Sequence, residues 1–271
     1  MPDREVAVVG LGATGAFVAR AAYDAGYKVT VYSYGEANTT PPGAFWLHWL
    51  PVDLTQQYTP QVITILGKGE EANYIKLQWG KTANLKMVTS SFPTKPISEP
   101  GYNPADVLPT LLPAEVKMEL TPYPFSDRDV QDLARGYDFV FQTFPRKVDM
   151  ELQPNRIPFV AAAKMGVQPL GVNIVVYNGI GPKGGIVVRE AMLFGNHFLE
   201  FPKGMSLKQV GEQYSLDGWK TVMLKDLSPH TKPIPQPGDK VYLMGRYAQW
   251  DRKCLSHDCY QRTLNILKKG G

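Results

Sequence analysis

The chain has 271 residues, 44% hydrophobic and 20% charged, the balance of a globular protein that buries a core. Its 29 Lys and Arg against 25 Asp and Glu leave a net charge of +4, scattered along the chain, which suits an anionic or nucleotide-like substrate and gives no basic cluster typical of RNA-binding proteins. No apolar run is long enough to span a bilayer and the N-terminus lacks a signal-peptide pattern, so we expect a cytoplasmic protein without membrane contact.

The first elements form a βαβ pattern. Glu5–Val9 is a short apolar strand, and the glycine-rich turn Gly10–Gly15 follows it directly. Ala16–Tyr23 is rich in small residues and predicts a helix that packs closely on a sheet, and Lys28–Tyr32 predicts a second, β-branched strand. A strand, a glycine turn, a helix and a strand in this order predict a dinucleotide-binding unit.

Each glycine of this turn has a distinct expected role. The first permits the tight turn, the second lets the backbone approach a diphosphate, and the third lets helix and strand touch. The helix N-terminus adds N–H groups and a partial positive charge. The predicted phosphate-binding residues are Gly10, Gly12, Ala13, Thr14 and Gly15.

The end of the second strand departs from the usual pattern. A carboxylate that binds ribose hydroxyls is common there, but this chain has Ser33 and Tyr34, with Glu36 shortly after. A hydroxyl binds ribose more weakly and tolerates a 2′-phosphate. Ser33 and Tyr34 are predicted cofactor contacts, and NADP stays among the candidate cofactors.

The later elements are less regular. Val62–Leu66 predicts a strand, whereas Thr89–Pro113 contains six prolines and predicts a long loop. Ser126 predicts the cap of a short helix. Further segments have the composition of strands: Val116–Leu120, Asp138–Thr143, Asn173–Tyr177, Ile186–Leu193, Phe198–Phe201 and Lys240–Met244. The third, fourth and fifth of these look like an antiparallel meander.

The C-terminal part predicts a final helix that begins after Cys254, and Ser256 is its predicted cap. Cys254 and Cys259 match neither a zinc pattern nor a CxxC pair, and we expect both to be reduced. No metal site is predicted.

Three segments resemble the FAD-containing family of amine oxidases, protoporphyrinogen oxidases and UDP-galactopyranose mutase. Pro42–His48 stands where that family has a glycine-containing loop beside the flavin. Asp138–Pro145 is similar to its Asp-x-Val-x-x-Thr-x-Pro strand, and Val241–Trp250 is similar to its strand, Gly-Arg and helix. The resemblance does not extend over Pro51–Pro113, and the family's large substrate domain is mostly missing.

The resemblance implies FAD as the cofactor and adds binding residues along the chain. These are Gly43, Ala44, Phe45, Trp46, Thr143, Gly245, Arg246 and Trp250. The Gly-Arg pair would supply close backbone approach and a fixed cation beside the diphosphate.

The expected fold class is α/β, with a Rossmann-type FAD-binding domain and a small antiparallel β substrate-binding lobe. The FAD-binding domain is built from residues 1–50, 114–150 and 236–271. Residues 51–113 form a loop-rich excursion that contributes to the substrate site, and residues 151–235 form the antiparallel lobe.

Four residues are candidates for catalysis. His48 follows the expected flavin loop and could bind substrate or carry a proton, or be an ordinary hydrogen-bonded histidine. Lys76 could hold a water or an anion, and His257 could face the flavin or only cap the last helix. The resemblance implies that Arg189 lies close to the flavin, with a cross-strand ion pair as its alternative.

The leading hypothesis is an FAD-dependent oxidoreductase or lyase acting on a C–N bond of a small or nucleotide-linked amine. The chain also resembles phage enzymes that trim amino-acid-modified thymidine, which implies a glycyl-modified thymidine in DNA as substrate and the host cytoplasm as location. The alternatives are an NADP-dependent reductase, a flavin-dependent sugar-nucleotide mutase and a non-catalytic nucleotide-binding protein. The sequence is compatible with a homodimer.

Overall fold

The computed structural model describes residues 4–34, 44–79, 92–144, 157–166, 171–180, 186–202, 207–213, 217–226, 237–249 and 254–270. The described residues form strands and helices that alternate along much of the chain. In chain order they are β1 (Glu5–Val9), α1 (Ala13–Asp24), β2 (Lys28–Tyr34), α2 (Val52–Thr55), β3 (Gln61–Gly69), α3 (Glu71–Trp79), β4 (Ile97–Gly101), α4 (Pro104–Leu111), β5 (Lys117–Thr121), α5 (Asp127–Leu133), β6 (Phe139–Gln142), β7 (Ile157–Lys164), β8 (Ile174–Gly179), β9 (Arg189–Leu193), β10 (Asn196–Phe201), α6 (Leu207–Gln213), β11 (Lys220–Asp226), β12 (Val241–Leu243), α7 (Gly245–Gln249) and α8 (Ser256–Lys269).

The chain divides into two compact units, each built from separate stretches of sequence. The first unit comprises Met1–Thr40, Pro104–Pro154 and Thr231–Gly271, and the second comprises Pro41–Asn103 and Asn155–His230. The chain thus changes unit after Thr40 and Asn103, whereas the sequence suggested changes after residues 50 and 113.

The first unit contains a five-stranded sheet in the order β12-β6-β1-β2-β5. All four strand pairs are parallel. β1 is buried after its first residue and β6 is buried throughout, as expected for central strands with both faces covered. The predicted βαβ unit is therefore present at the centre of a parallel sheet.

Helices α1 and α8 pack together in this unit. The buried face of α1 is largely alanine and glycine, which lets helix backbones approach closely, and α8 buries Cys259, Thr263 and Leu267. The Tyr260 hydroxyl donates to Asp24 Oδ2 at 2.6 Å and ties α8 to the end of α1. Among the described residues, no helix combines the length and apolar character needed to cross a membrane.

The second unit contains a seven-stranded sheet in the order β11-β7-β10-β9-β8-β3-β4. Its strands pair antiparallel except β3 and β8, which pair in parallel. The predicted lobe was smaller and wholly antiparallel. The difference arises because β3 and β4 come from the expected excursion and join the meander at the free edge of β8.

The predicted loop Thr89–Pro113 contains regular structure instead. β4 and α4 both lie within it. Pro100 lies on β4, which is the sheet's edge strand, where a missing N–H removes no necessary ladder bond. Pro104 is the first residue of α4, where no intrahelical partner exists for an N–H. Pro100 and Pro104 are therefore compatible with these two elements, whereas a third proline, Pro109, lies inside α4 without an N–H for the helix.

Candidate functional site

The glycine turn joins β1 to α1 in the first unit, and two of its glycines are required by geometry. Gly10 has φ +102°, and its N–H donates to the Tyr32 carbonyl at 2.8 Å. A Cβ at Gly15 would lie 2.0 Å from the Gly10 carbonyl oxygen. The Thr143 hydroxyl donates to that same oxygen at 2.8 Å, so Thr143 stabilises the turn.

Gly12 faces open space. Its backbone is extended, with φ −126° and ψ −169°, and no atom of the described residues lies within 4 Å of an added Cβ. In the part of the chain that the structure describes, no side chain caps α1, and its first turn has no acidic residue. The first N–H groups of α1 and its positive dipole end can therefore hold a phosphate.

The C-terminal segment contacts the start of α1. Gly245 has φ +83°, and a Cβ there would lie 2.5 Å from Thr14 Cγ2. The hydroxyls of Thr14 and Ser256 lie 3.1 Å apart, which joins the starts of α1 and α8. Arg246 follows Gly245 in α7 and is partly buried. The predicted Gly-Arg pair thus lies beside the glycine turn.

Four other predicted cofactor positions lie at the end of β2 or outside the described residues. Ser33 is buried, and its carbonyl accepts a hydrogen bond from the Thr121 hydroxyl at 3.2 Å, while Tyr34 is exposed. Gly43 and Trp250 fall outside the described residues.

A histidine and a tryptophan share one carboxylate in the second unit. Trp46 Nε1 donates to Glu99 Oε1 at 2.8 Å, and His48 Nδ1 lies 3.1 Å from the same oxygen. The two rings are 5.3 Å apart between centroids. Glu99 thereby fixes the orientation of both side chains. Glu99 was not predicted from the sequence, because it lies on β4 in the segment expected to be a loop.

Arg189 lies in a partly buried ionic cluster of the second unit. Its Nε donates to Glu200 Oε2 at 2.8 Å, and Nη2 donates to the Ala44 carbonyl at 2.9 Å. Nη1 donates to the Tyr177 hydroxyl at 3.3 Å. Burial lowers the pKa of Arg189, but the Glu200 carboxylate outweighs it and raises that pKa well above its usual value. The guanidinium is therefore a permanent cation that anchors Ala44.

The remaining candidates are placed separately. Lys76 is exposed on α3, Phe45 is partly buried, and His257 is partly buried in the first turn of α8 with Nε2 3.5 Å from Asp258 Oδ1. The first unit thus brings together the glycine turn, Thr143, the Gly245–Arg246 pair and the start of α8. The second brings together Ala44, Trp46, His48 and Arg189 within one sheet and its flanking loop.

Comparison with known proteins yields similarity of structure but not of sequence. No protein-family model and no curated protein matches the chain. The flavin-dependent halogenase CmlS superposes with a TM-score of 0.55 at 12% identity, covering 100% of this chain and 60% of that chain. MibH, a lathipeptide tryptophan 5-halogenase, superposes with a TM-score of 0.56 at 11% identity, covering 98% of this chain and 67% of that one.

A third solved structure matches along most of its own length. L-proline dehydrogenase from P. horikoshii superposes with a TM-score of 0.56 at 12% identity, covering 100% of this chain and 95% of that chain. The chain therefore spans most of that enzyme but only 60% of the length of CmlS. These similarities confirm the predicted α/β fold class: the chain has the fold found in a flavin-dependent halogenase and in L-proline dehydrogenase.

Proposed function

We propose that the chain is an FAD-dependent oxidoreductase whose glycine turn binds the diphosphate of the cofactor. The observation that carries this proposal is the start of α1, where uncapped N–H groups meet the open space at Gly12. The fold shared with CmlS, which is named a flavin-dependent enzyme, supports FAD over other dinucleotides.

The residues of the first unit fit a dinucleotide. N–H groups of Ala13, Thr14 and Gly15 would donate to phosphate oxygens, and Arg246 would add a fixed positive charge beside them. Within the described residues Arg246 makes no hydrogen bond or ion pair, so its guanidinium is available to an anion. The Ser33 hydroxyl would contact ribose. FAD, when bound, supplies a hydride acceptor.

The proposed substrate is a small or nucleotide-linked amine whose C–N bond is oxidised. The sequence resemblance to amine oxidases supports this class, and L-proline dehydrogenase, which shares the fold, is named for a substrate with such a bond. His48 is the proposed proton carrier, and Glu99 would hold its ring in one orientation. Replacing His48 with Asn should lower kcat while KM changes little, and Val62→Thr, an exposed change on β3 of the same unit, is the control that should change neither.

A finer hypothesis is that the amine is a glycyl-modified thymidine in phage DNA. Only the resemblance in sequence and the net charge of +4 support it. Incubation with DNA that contains this nucleoside, followed by digestion and nucleoside mass spectrometry, should show its loss. Unchanged nucleoside beside turnover of a free amine would reject the DNA substrate and keep the amine class.

A second candidate is an NADP-dependent reductase, which Ser33 favours. Ser33 is the second-last residue of β2, a place where a carboxylate would repel a 2′-phosphate. Mass spectrometry of the ligand released by denaturing the purified protein distinguishes the two. FAD supports the first proposal, and NADP supports the second.

Anaerobic mixing with amines should then bleach the visible flavin band, and a spectrum unchanged across a panel of amines would contradict the proposed substrate class.

A further inference from the structure

The two cysteines of the chain meet at the start of α8. Their sulfur atoms lie 3.6 Å apart, and both are reduced. Cys259 is in the first turn of α8, whereas Cys254 precedes the helix, and Leu255 between them is extended, with φ −77° and ψ 158°. In a regular helix, side chains five residues apart diverge by about 140°. The non-helical backbone before α8 is therefore what brings these thiols together.

The surroundings give the two thiols different access. Cys259 is fully buried, and its Sγ donates to the Leu255 carbonyl at 3.3 Å. The hydrogen bond with Cys254 and burial both raise the pKa of Cys259. Cys254 is only partly buried, and Gln249 Nε2 donates to its sulfur at 3.3 Å. Arg262 Nη1 donates to Gln249 Oε1 at 2.6 Å and holds that amide in place.

We propose that Cys254 and Cys259 form a reversible dithiol–disulfide site that a small-molecule disulfide of the glutathione class oxidises. Cys254, as the accessible thiolate, attacks one sulfur of the disulfide, which forms a mixed disulfide and releases one thiol. Cys259 then loses its proton and attacks Cys254 Sγ, which releases the second thiol. Two protein thiols are thereby oxidised and one disulfide is reduced to two thiols.

The required movement is small. A disulfide needs a sulfur separation of about 2.05 Å, so the two atoms must approach by roughly 1.5 Å. Cys254 lies outside the helix and can move without breaking an α8 backbone bond. Ser256, between the cysteines, meets the hydroxyl of Thr14, so this site borders the glycine turn. The inference does not depend on FAD binding.

The chain offers a clean test because it has only two cysteines. The reduced, folded protein is incubated with oxidised glutathione, the remaining thiols are alkylated in denaturant, and the tryptic peptide Cys254–Arg262, which contains both cysteines, is weighed. We expect the wild-type peptide to carry no alkyl group and no glutathione, and to be lighter by two hydrogens than the same peptide with two free thiols. A wild-type peptide that keeps both thiols, retains glutathione or links two chains would overturn the proposal.

Two variants test the assigned order of attack. C259S should accumulate glutathione on Cys254, and C254S should react at least about tenfold more slowly because Cys259 is buried. In denaturant the two variants should react alike, which controls for differences in the thiols themselves. Equal rates for the folded variants would contradict Cys254 as the attacking thiol, and the wild-type peptide mass decides the disulfide independently if a variant fails to fold.

Discussion

A methyl group added at Gly15 would lie 2.0 Å from the Gly10 carbonyl oxygen, whereas one added at Gly12 would meet no described atom within 4 Å. The two glycines therefore serve different ends at the residue scale. Gly15 allows the backbone of α1 to cross close to the turn. Gly12 leaves space on the side where a ligand would approach.

This difference predicts opposite effects on stability. Gly15→Ala should lower the free energy of unfolding by about 3 kcal/mol, because a backbone oxygen cannot yield to the new Cβ. Gly12→Ala should change it by less than about 0.5 kcal/mol. Urea unfolding followed by circular dichroism measures both. A Gly15→Ala variant as stable as the wild type would show that the close approach is not needed.

A second residue-scale prediction concerns the Arg189–Glu200 pair. Arg189→Met should cost about 3 kcal/mol of unfolding free energy, because it leaves the mostly buried Glu200 carboxylate without its cation. The double variant Arg189→Met, Glu200→Leu should recover most of that loss, since it removes the uncompensated charge. A double variant no more stable than the single one would show that the cost lies elsewhere, such as in the lost contact with Ala44.

Sequence reasoning could name Arg189 and His48 but not their partners. Glu200 faces Arg189 across a strand pair, and Glu99 reaches His48 from an edge strand. Both contacts depend on register, which no local pattern of these residues reveals. The resemblance implied that Arg189 lies near a flavin, and a cross-strand ion pair was the alternative interpretation. Arg189 does form such an ion pair with Glu200, and it also donates hydrogen bonds to Tyr177 and Ala44. A catalytic role for it stays a prediction.

At the scale of elements, the sequence predicted helices and strands best where hydrophobic periodicity and the capping or turn residues indicated the same element. β1, α1 and β2 lie where the βαβ pattern put them, and α5 begins after Ser126. There the Ser126 N–H donates to Asp129 Oδ2 at 2.7 Å, and the Asp129 N–H donates to the Ser126 hydroxyl at 3.3 Å. Composition failed at β4 and α4, because a proline count cannot tell an edge strand or a helix start from a loop.

The cap of α5 predicts a pH dependence. Hydrogen bonds from the Ser126 hydroxyl and N–H lower the pKa of Asp129 from its usual 3.8. Because the folded-state pKa is depressed, this carboxylate stabilises the fold above the unfolded-state pKa and ceases to do so as the pH falls through the folded-state value. Asp129→Asn should therefore lower the melting temperature at pH near 7, and the difference from wild type should vanish in strong acid. Asp132→Asn, on the same helix outside the cap, is the control, and an equal loss in that variant would contradict the account.

At the scale of the whole molecule, the sequence predicted the fold class and missed the composition of the second sheet. The first unit follows from a local βαβ pattern and buried apolar strands. The second sheet joins β3 to β8 although more than a hundred residues separate them in sequence, and that pairing is set by packing rather than by a short-range signal. The chain covers 60% of CmlS and 95% of L-proline dehydrogenase, so the shared fold occurs in chains of different lengths.

The central claim is that the glycine turn holds FAD, and an equilibrium titration of the protein with FAD, followed by flavin fluorescence, tests it most directly. The wild type should bind, and Gly12→Ala should bind at least about tenfold more weakly, a loss of about 1.4 kcal/mol, because its methyl group occupies the space of a phosphate. Gly211→Ala, also in open space but on α6, should bind like the wild type. A wild-type protein that does not bind FAD, or a Gly12→Ala variant that binds it equally well, would contradict the claim.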